Sequence, residues 1–415
     1  MYPVSPFLRH FALSLLAGGA VATLWVNLSP DSYYDALEWR IADLPAWTGV
    51  RQSLTPLLLV SQVLMAPFFF VLGKELWEAL VLRRGRLHGR DAGAPLLATL
   101  GGLCGAVLVW LELSALFGAD AAGTASPGWV VPMGSDVLLC FLVGRVVFGP
   151  AHPALHVLLL IAIASEIAAL LALGLAVSPA ELRPAWLLLP LLSSLCAYLF
   201  FNRPALRANA RGRSETRLRR AFSLWPYVAA GILGWIGVAA SGLPPALGLL
   251  PILPAIPHAD RAFGLFAEAE EYLADPLNRL AHLLVRPLTV VLFLFGLTQG
   301  GVDLGAAGPA TAMVLGAVWI GKPAGILAGT HAARRLALPL PAGVTPRDLA
   351  LIAGIAGIGL CVPLIALGPA LPGGAMQEAA RLGLAISLAA GPAMALVARL
   401  TRRGTPGGER ARAGR

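Results

Sequence analysis

The chain has 415 residues, 57% of them hydrophobic and only 13% charged, with a formal net charge of +9 and a mean hydropathy of +0.76. A soluble domain carries about 25% charged residues. The composition therefore excludes a soluble enzyme, a disordered protein and a coiled coil, and leaves an all-α polytopic membrane protein. The basic balance does not read as nucleic-acid binding, because the arginines lie between apolar runs, where they orient a chain in a bilayer.

A helix crosses a bilayer with about 20 apolar residues. About 12 transmembrane helices are expected, at 10–29, 54–82, 93–117, 127–148, 153–177, 184–201, 222–240, 242–257, 277–299, 307–330, 349–370 and 378–400. The first carries Arg9 and Ala20-Val21-Ala22, as a secretory leader would. It runs on apolar to Leu28 with eleven stretches after it, so it reads as a retained span. Residues 30–53, with Asp31, Asp35, Glu38, Asp43, Pro45 and Gly49, read as an outside loop or short hairpin. With the N-terminus cytoplasmic, 24 basic residues fall in inside segments and 3 outside, including Arg83, Arg84, Arg86 and Arg90 in one loop and seven arginines from Arg203 to Arg220 in another. That asymmetry predicts an even number of spans with both termini inside. Residues 1–403 form one transmembrane domain, and the Gly/Arg-rich 404–415 reads as a disordered cytoplasmic tail. Cys104, Cys140, Cys196 and Cys361 lack metal-ligand spacing and read as small buried thiols.

Ionisable groups at the bilayer centre cost roughly 2.5–3.5 kcal/mol each and mark candidate sites. Glu75, Glu112, Asp136, Glu166, Arg286 and Lys322 fall inside apolar stretches. Lys322 stands out because the chain holds only two lysines, Lys74 and Lys322, among 31 basic residues. Arginine cannot release its proton in a protein, whereas a buried lysine can. Lys322 thus suits either a removable charge or an ion pair with a carboxylate on another helix. Asp136 follows Pro132, Gly134 and Ser135, and Gly354, Gly357 and Gly359 with Pro363 recur in the eleventh stretch. Such residues interrupt a spanning helix and free its backbone groups beside a cavity. The interrupted fourth and eleventh stretches are the middle members of triplets over approximately 93–177 and 307–400. Matched interruptions point to inverted repeats with a site at the midplane. Glu166, beside Ser165 in the fifth stretch, offers a carboxylate within reach of that break. Glu75 faces the arginine-rich loop, is expected to pair with Arg83 or Arg84, and is a candidate for a response to cytoplasmic pH. Glu112 is expected on a solvated face, and His156, His258 and His282 at the interfaces.

These residues resemble the NhaA-type sodium/proton antiporters, themselves a type case of inverted repeats. Leu64-Met65-Ala66, Phe68-Phe69, Gly73 and Glu75 resemble the family's second span. Pro95 and Gly101-Gly102 resemble its third, and Gly128-Trp129 through Pro132 to Ser135-Asp136 its broken fourth. Gly300-Gly301-Val302 resembles the end of the ninth, Ile320-Gly321-Lys322-Pro323 with Gly325-Ile326 the essential-lysine helix, Gly354 to Gly359 the broken eleventh, and Ala380-Arg381-Leu382-Gly383 the start of the twelfth. The family's adjacent aspartate pair in the fifth span is absent. Glu166 aligns with its second member, leaving Ser165 at the first, or with its first, leaving Ile167 at the second. The family's Val-His-Ala-Thr in the eighth span reads Leu243-Pro244-Pro245-Ala246.

The resemblance implies exchange of a monovalent cation, Na⁺ or Li⁺, for protons in a bacterial inner membrane, with no cofactor and no enzymatic reaction. Glu166 and Asp136 would hold the cation transiently, with Ser165, Ser135 and freed carbonyls as oxygen ligands and Lys322 as counter-charge. The lipid bilayer is the expected partner, together with a second copy of the chain through residues 30–53. Three other readings stand beside it: transport of another ion or solute, a proton leak, and a non-transporting structural or sensory protein. An intramembrane aspartyl protease would need two facing aspartates, and Asp136 is the one mid-span aspartate.

Overall fold

The computed structural model describes residues 4–43, 53–81, 90–117, 126–177, 182–203, 223–258, 265–268, 273 and 275–403. Arg83, Arg84, Arg86, most of the arginine run beyond Arg203 and the 404–415 tail lie outside the described residues.

The protein is an all-α polytopic membrane protein. Among the described residues nine helices are long and apolar enough to cross a bilayer. They are α1 (Phe7–Leu28), Pro56–Val81, Ala92–Leu116, Gly128–Phe148, Pro153–Ala176, Pro184–Asn202, Pro276–Gln299, Pro309–Arg335 and Ala375–Thr401. Trp225–Ser241, Pro245–Ala255 and Cys361–Ala370 are shorter apolar helices. The stretch 242–257, expected to be a span, consists instead of two 3₁₀ turns, Pro245–Leu247 and Leu250–Ala255. Pro244, Pro245, Pro251 and Pro254 supply no N–H groups, so α-helical hydrogen bonding cannot run through the segment.

Burial is set by lipid rather than water. Leu28, Phe200 and Trp225 are 83%, 71% and 72% exposed, whereas Asp136 and Glu166 are fully enclosed. Cys140 and Cys361 are buried as expected, but Cys104 and Cys196 are exposed. A thiol is apolar enough to sit at a lipid-facing surface, so an apolar neighbourhood in sequence does not put it inside. Helix pairs approach closely where glycine permits. A Cβ on Gly101 would stand 2.2 Å from Gly325 O, and one on Gly105 2.2 Å from Gly321 O. That backbone-to-backbone contact holds the third span rigidly against the one bearing Lys322.

After α1 a short helix, α2 (Pro30–Glu38), is followed by a two-stranded antiparallel hairpin with Ala42 opposite Leu54. Residues 44–52 lie outside the described residues.

Three spanning helices open into π-turns, at Leu59–Leu64, Tyr198–Asn202 and Ala317–Gly321. Two of them stand just ahead of a proline within the same helix, Pro67 and Pro323, and Pro204, after the other, lies outside the described residues. A proline inside a helix lacks the donor for the carbonyl four residues back and its ring crowds that carbonyl. Widening the turn by one residue relieves the clash.

Candidate functional site at the crossing of two broken helices

The fourth span begins as a 3₁₀ helix, Ser126–Met133, opens at residues 134–136, and resumes as α3 (Val137–Phe148). The eleventh consists of α4 (Pro346–Ile355), an open stretch at 356–360, and α5 (Cys361–Ala370). Both interruptions fall where the glycines and Pro132 placed them. The openings cross and are stitched together. The Asp136 amide donates to Ile358 O (2.8 Å), Ser135 Oγ donates to Ala356 O (2.8 Å), and Cys140 Sγ donates to Ile355 O (3.5 Å). Glycine is required at the contact itself, since a Cβ on Gly134 would stand 2.7 Å from the Pro363 ring and one on Gly359 3.0 Å from Gly134 O.

A broken helix presents partial charges at its new ends: positive amides at the N-terminus and negative carbonyls at the C-terminus. Asp136 answers the first kind. Its Oδ1 accepts from the Leu139 amide (2.8 Å), capping α3, and its Oδ2 accepts from the Cys361 amide (3.2 Å), the first residue of α5. One carboxylate thus serves two helix N-termini. Lys322 answers the second kind. Its Nζ donates to Gly134 O (2.5 Å), just past the end of the 3₁₀ half-helix. Asp136 and Lys322 are fully buried.

Glu166 is different. It is fully enclosed, within electrostatic reach of Asp136 and Lys322, and faces the Val362 amide of α5. Neither carboxyl oxygen makes a hydrogen bond of ordinary geometry. Burying such a group without partners is costly, so the pocket holds unspent oxygen ligands. Ser165 is turned away, its Oγ donating to Ile161 O (2.7 Å) in its own helix. The crossing therefore brings together Asp136, Glu166, Lys322, Ser135, Gly134, Gly357 and Gly359. Gly354 packs instead against Met394, whose Sδ lies 2.3 Å from where its Cβ would stand.

Glu75 belongs to a second buried cluster. Lys74 Nζ lies 3.0 Å from Glu75 Oε1 and 3.0 Å from Glu78 Oε2, and the Phe266 amide donates to Glu75 Oε2. Its bonds among the described residues are to Lys74 and a backbone amide, and the expected partners Arg83 and Arg84 lie outside the described residues. A cavity of about 30 Å³ beside the cluster is bordered by Asn278 and His282. Lys74 was noted in the sequence only for its rarity and Glu78 not at all, although their i,i+4 spacing signalled the pair. His156 is buried within the protein, Glu112 is exposed, and Arg286 is exposed on the protein surface, so it is not a buried charge.

Two broken helices crossing over enclosed charges, inside a helical protein of many spans, define the class of secondary transporters. Residues 9–398 match the family model described as Na⁺/H⁺ antiporter 1. The chain is 41% identical, over 97% of its own length and 99% of the relative's, to the Na⁺/H⁺ antiporter NhaA of Jannaschia sp. (strain CCS1). It is 36% identical, over 92% and 93%, to that of Geobacter metallireducens. The chain belongs to the Na⁺/H⁺ antiporter family.

Proposed function

We propose that the protein exchanges Na⁺, and Li⁺ as its smaller analogue, for protons through Glu166. The observation that carries this reading is the Glu166 carboxyl, which faces the Val362 amide and is the one side-chain carboxyl among the described residues with both oxygens enclosed and neither in a hydrogen bond of ordinary geometry. Ionised, it holds a cation; protonated, it cannot. Competition between proton and cation for one carboxylate couples the two fluxes. Asp136 completes the negative field of the site while its oxygens bind two helix ends. Ser135 adds a hydroxyl lone pair, and Ser165 does so on turning about χ1. Lys322 balances the charge when the cation is absent. Glu75 contributes a response to cytoplasmic pH through its cluster. The triplets over 93–177 and 307–400 are inverted repeats within one domain, residues 1–403. The protein resides in a bacterial inner membrane with both termini cytoplasmic and pairs with a second copy through the 30–53 hairpin.

The test is proton flux in proteoliposomes on addition of Na⁺, Li⁺ or K⁺ across a range of pH. Flux driven by Na⁺ and Li⁺, and lost in Glu166→Gln, is the expected result. A second reading is favoured by Ser165-Glu166-Ile167, which offers one fifth-span carboxylate where the family has two: the same fold carrying another cargo. Flux driven by K⁺ alone would support it, and proton flux that needs no cation would mark a leak.

A further inference from the structure

The span bearing Lys322 is unbroken, yet it contains a backbone oxygen that its own helix cannot satisfy. In the π-turn Ala317–Gly321 the Lys322 amide is bonded to Ala317 O. The next amide in line for Val318 O would be that of residue 323, which is proline. Neither the i+4 nor the i+5 donor is therefore available to the Val318 carbonyl. No other segment donates to it among the described residues. Val318 is fully enclosed, and buried backbone carbonyls are almost always paired.

The π-turn at Leu59–Leu64 shows what the fold does with such an oxygen elsewhere. Gln62 stands five residues before Pro67, as Val318 stands five before Pro323. Its carbonyl is capped from another helix by the Trp235 indole, Nε1 to O 3.1 Å. The Val318 carbonyl has no such cap. It abuts Gly357, where a Cβ would stand 2.5 Å from the oxygen. Gly357 lies in the opening of the eleventh span, between Ala356, which takes the Ser135 hydroxyl, and Ile358, which takes the Asp136 amide. The orphan oxygen thus enters the crossing from a third helix. Lys322 binds the crossing from the same helix, and the unbonded Glu166 carboxyl lies within electrostatic reach of it.

We infer that the Val318 carbonyl is a ligand of the transported cation, released for that use by the π-turn and Pro323. The inference rests on the proposed exchange of Na⁺ at Glu166 and deepens it by naming a ligand. A hard monovalent cation that leaves its water needs several oxygens, and backbone carbonyls freed from helical bonding supply them without adding charge. Because Val318 and Lys322 lie on one helix, cation binding at the carbonyl and displacement of the lysine from Gly134 O become a single adjustment of the π-turn. Gly357 is a positioning residue in this scheme, since any side chain there would push the carbonyl away.

The test uses full-length protein labelled with 1-¹³C-valine, with infrared difference spectra recorded on exchange of choline for Na⁺. The Val318 band is assigned by its disappearance in Val318→Ile. The expected result is a Na⁺-dependent shift of that band together with a change in the Glu166 carboxyl bands. Glu166 bands that respond while the Val318 band stays fixed would overturn the inference and leave the exchange reading intact. Silence in both, with no cation-driven proton flux, would instead sink the exchange reading and this inference with it. A second variant, Pro323→Ala, restores an amide at position 323. It should melt at a higher temperature without Na⁺ and need at least about tenfold more Na⁺ for half-maximal stabilisation, a loss of about 1.4 kcal/mol in binding. Unchanged Na⁺ dependence in Pro323→Ala would also count against the carbonyl as a ligand.

Discussion

Two clusters of enclosed charge occupy this protein, and they are satisfied in opposite ways. In the second span Lys74 holds Glu75 and Glu78 at 3.0 Å each, charge against charge. At the crossing no lysine reaches a carboxylate. Lys322 is bound to a carbonyl, Asp136 to two amides, and Glu166 to nothing of ordinary geometry. A lysine held by two carboxylates has little to gain from a mobile ion. A bare carboxylate among helix dipoles gains a great deal. The contrast separates a cluster that holds the fold from one that awaits a ligand, although composition and depth in the sequence are similar for both.

The largest effect that tests this contrast is on stability. Replacing Lys74 with Met leaves two enclosed carboxylates facing each other without their shared cation. Breaking a buried ion pair by removing one partner costs about 3–5 kcal/mol, so Lys74→Met should lower the melting temperature markedly. Adding Glu78→Gln should recover part of the loss. A melting temperature within error of the parent would show that the second-span cluster is not held by its lysine.

Next in size is Glu166→Gln. The amide is isosteric and uncharged, so it removes the cation's ligand without opening a hole. Cation-driven proton flux should fall by at least about 100-fold, close to 3 kcal/mol in binding terms. Thermal stability should stay level or rise, because an enclosed group with no partner is relieved of its charge. Substantial flux in this variant would make Glu166 a silent neighbour of the crossing and erase the contrast.

Charge movement comes third. We expect Glu166 to carry one proton or one monovalent cation per cycle while Lys322 keeps its proton. Exchange is then one for one and electroneutral, and an imposed membrane potential should leave its rate unchanged. Lys322→Arg keeps the charge without a releasable proton and should retain exchange within about tenfold, a cost near 1.4 kcal/mol, whereas Lys322→Met should lose it. A rate that follows the potential would identify Lys322 as a second proton carrier.

The crossing was legible because its causes are compositional. Gly134, Gly357 and Gly359 stand in the two openings, with Pro132, Gly354 and Pro363 at their edges, and Lys322 was conspicuous by rarity. The paired cluster was missed for a physical reason. An arginine-rich loop next to Glu75 offered a cheaper partner in sequence than the adjacent lysine did, and only the fold shows which is enclosed with it. Hydropathy could not separate Cys104 and Cys196 from Cys140 and Cys361, because lipid-facing and core positions are equally apolar. The stretch 242–257 has the hydropathy of a span and the prolines of a 3₁₀ chain, and backbone donors outrank hydropathy there. The orphan carbonyl of Val318 depends on a slip in the hydrogen-bond ladder that no side-chain pattern announces, although a proline stands five residues beyond both Gln62 and Val318.

A third kind of enclosed titratable group sharpens the comparison from the side of small effects. Tyr33 of α2 is 1% exposed, and its hydroxyl donates to Leu297 O at 3.1 Å. Burial pushes its pKa up to about 12 from the ordinary 10.0. It is neither paired by charge nor bare, but neutral and hydrogen-bonded. Between those two values the folded state holds the phenol proton and the unfolded state releases it, so the folded state binds more protons. Stability should therefore be complete below pH 10 and decline as pH rises towards 12, by up to about 1.4 kcal/mol per pH unit for this one group. Tyr33→Phe removes the titration and one hydrogen bond. It should cost about 1 kcal/mol at neutral pH and flatten the alkaline decline, so that the two curves cross near pH 11 and the variant is the more stable beyond it. Thermal melts of both proteins in detergent from pH 8 to 12 measure the difference directly. If the variant declines as steeply as the parent, the alkaline loss belongs to other groups, and Tyr33 cannot serve as the neutral reference against which the paired and bare carboxylates are judged.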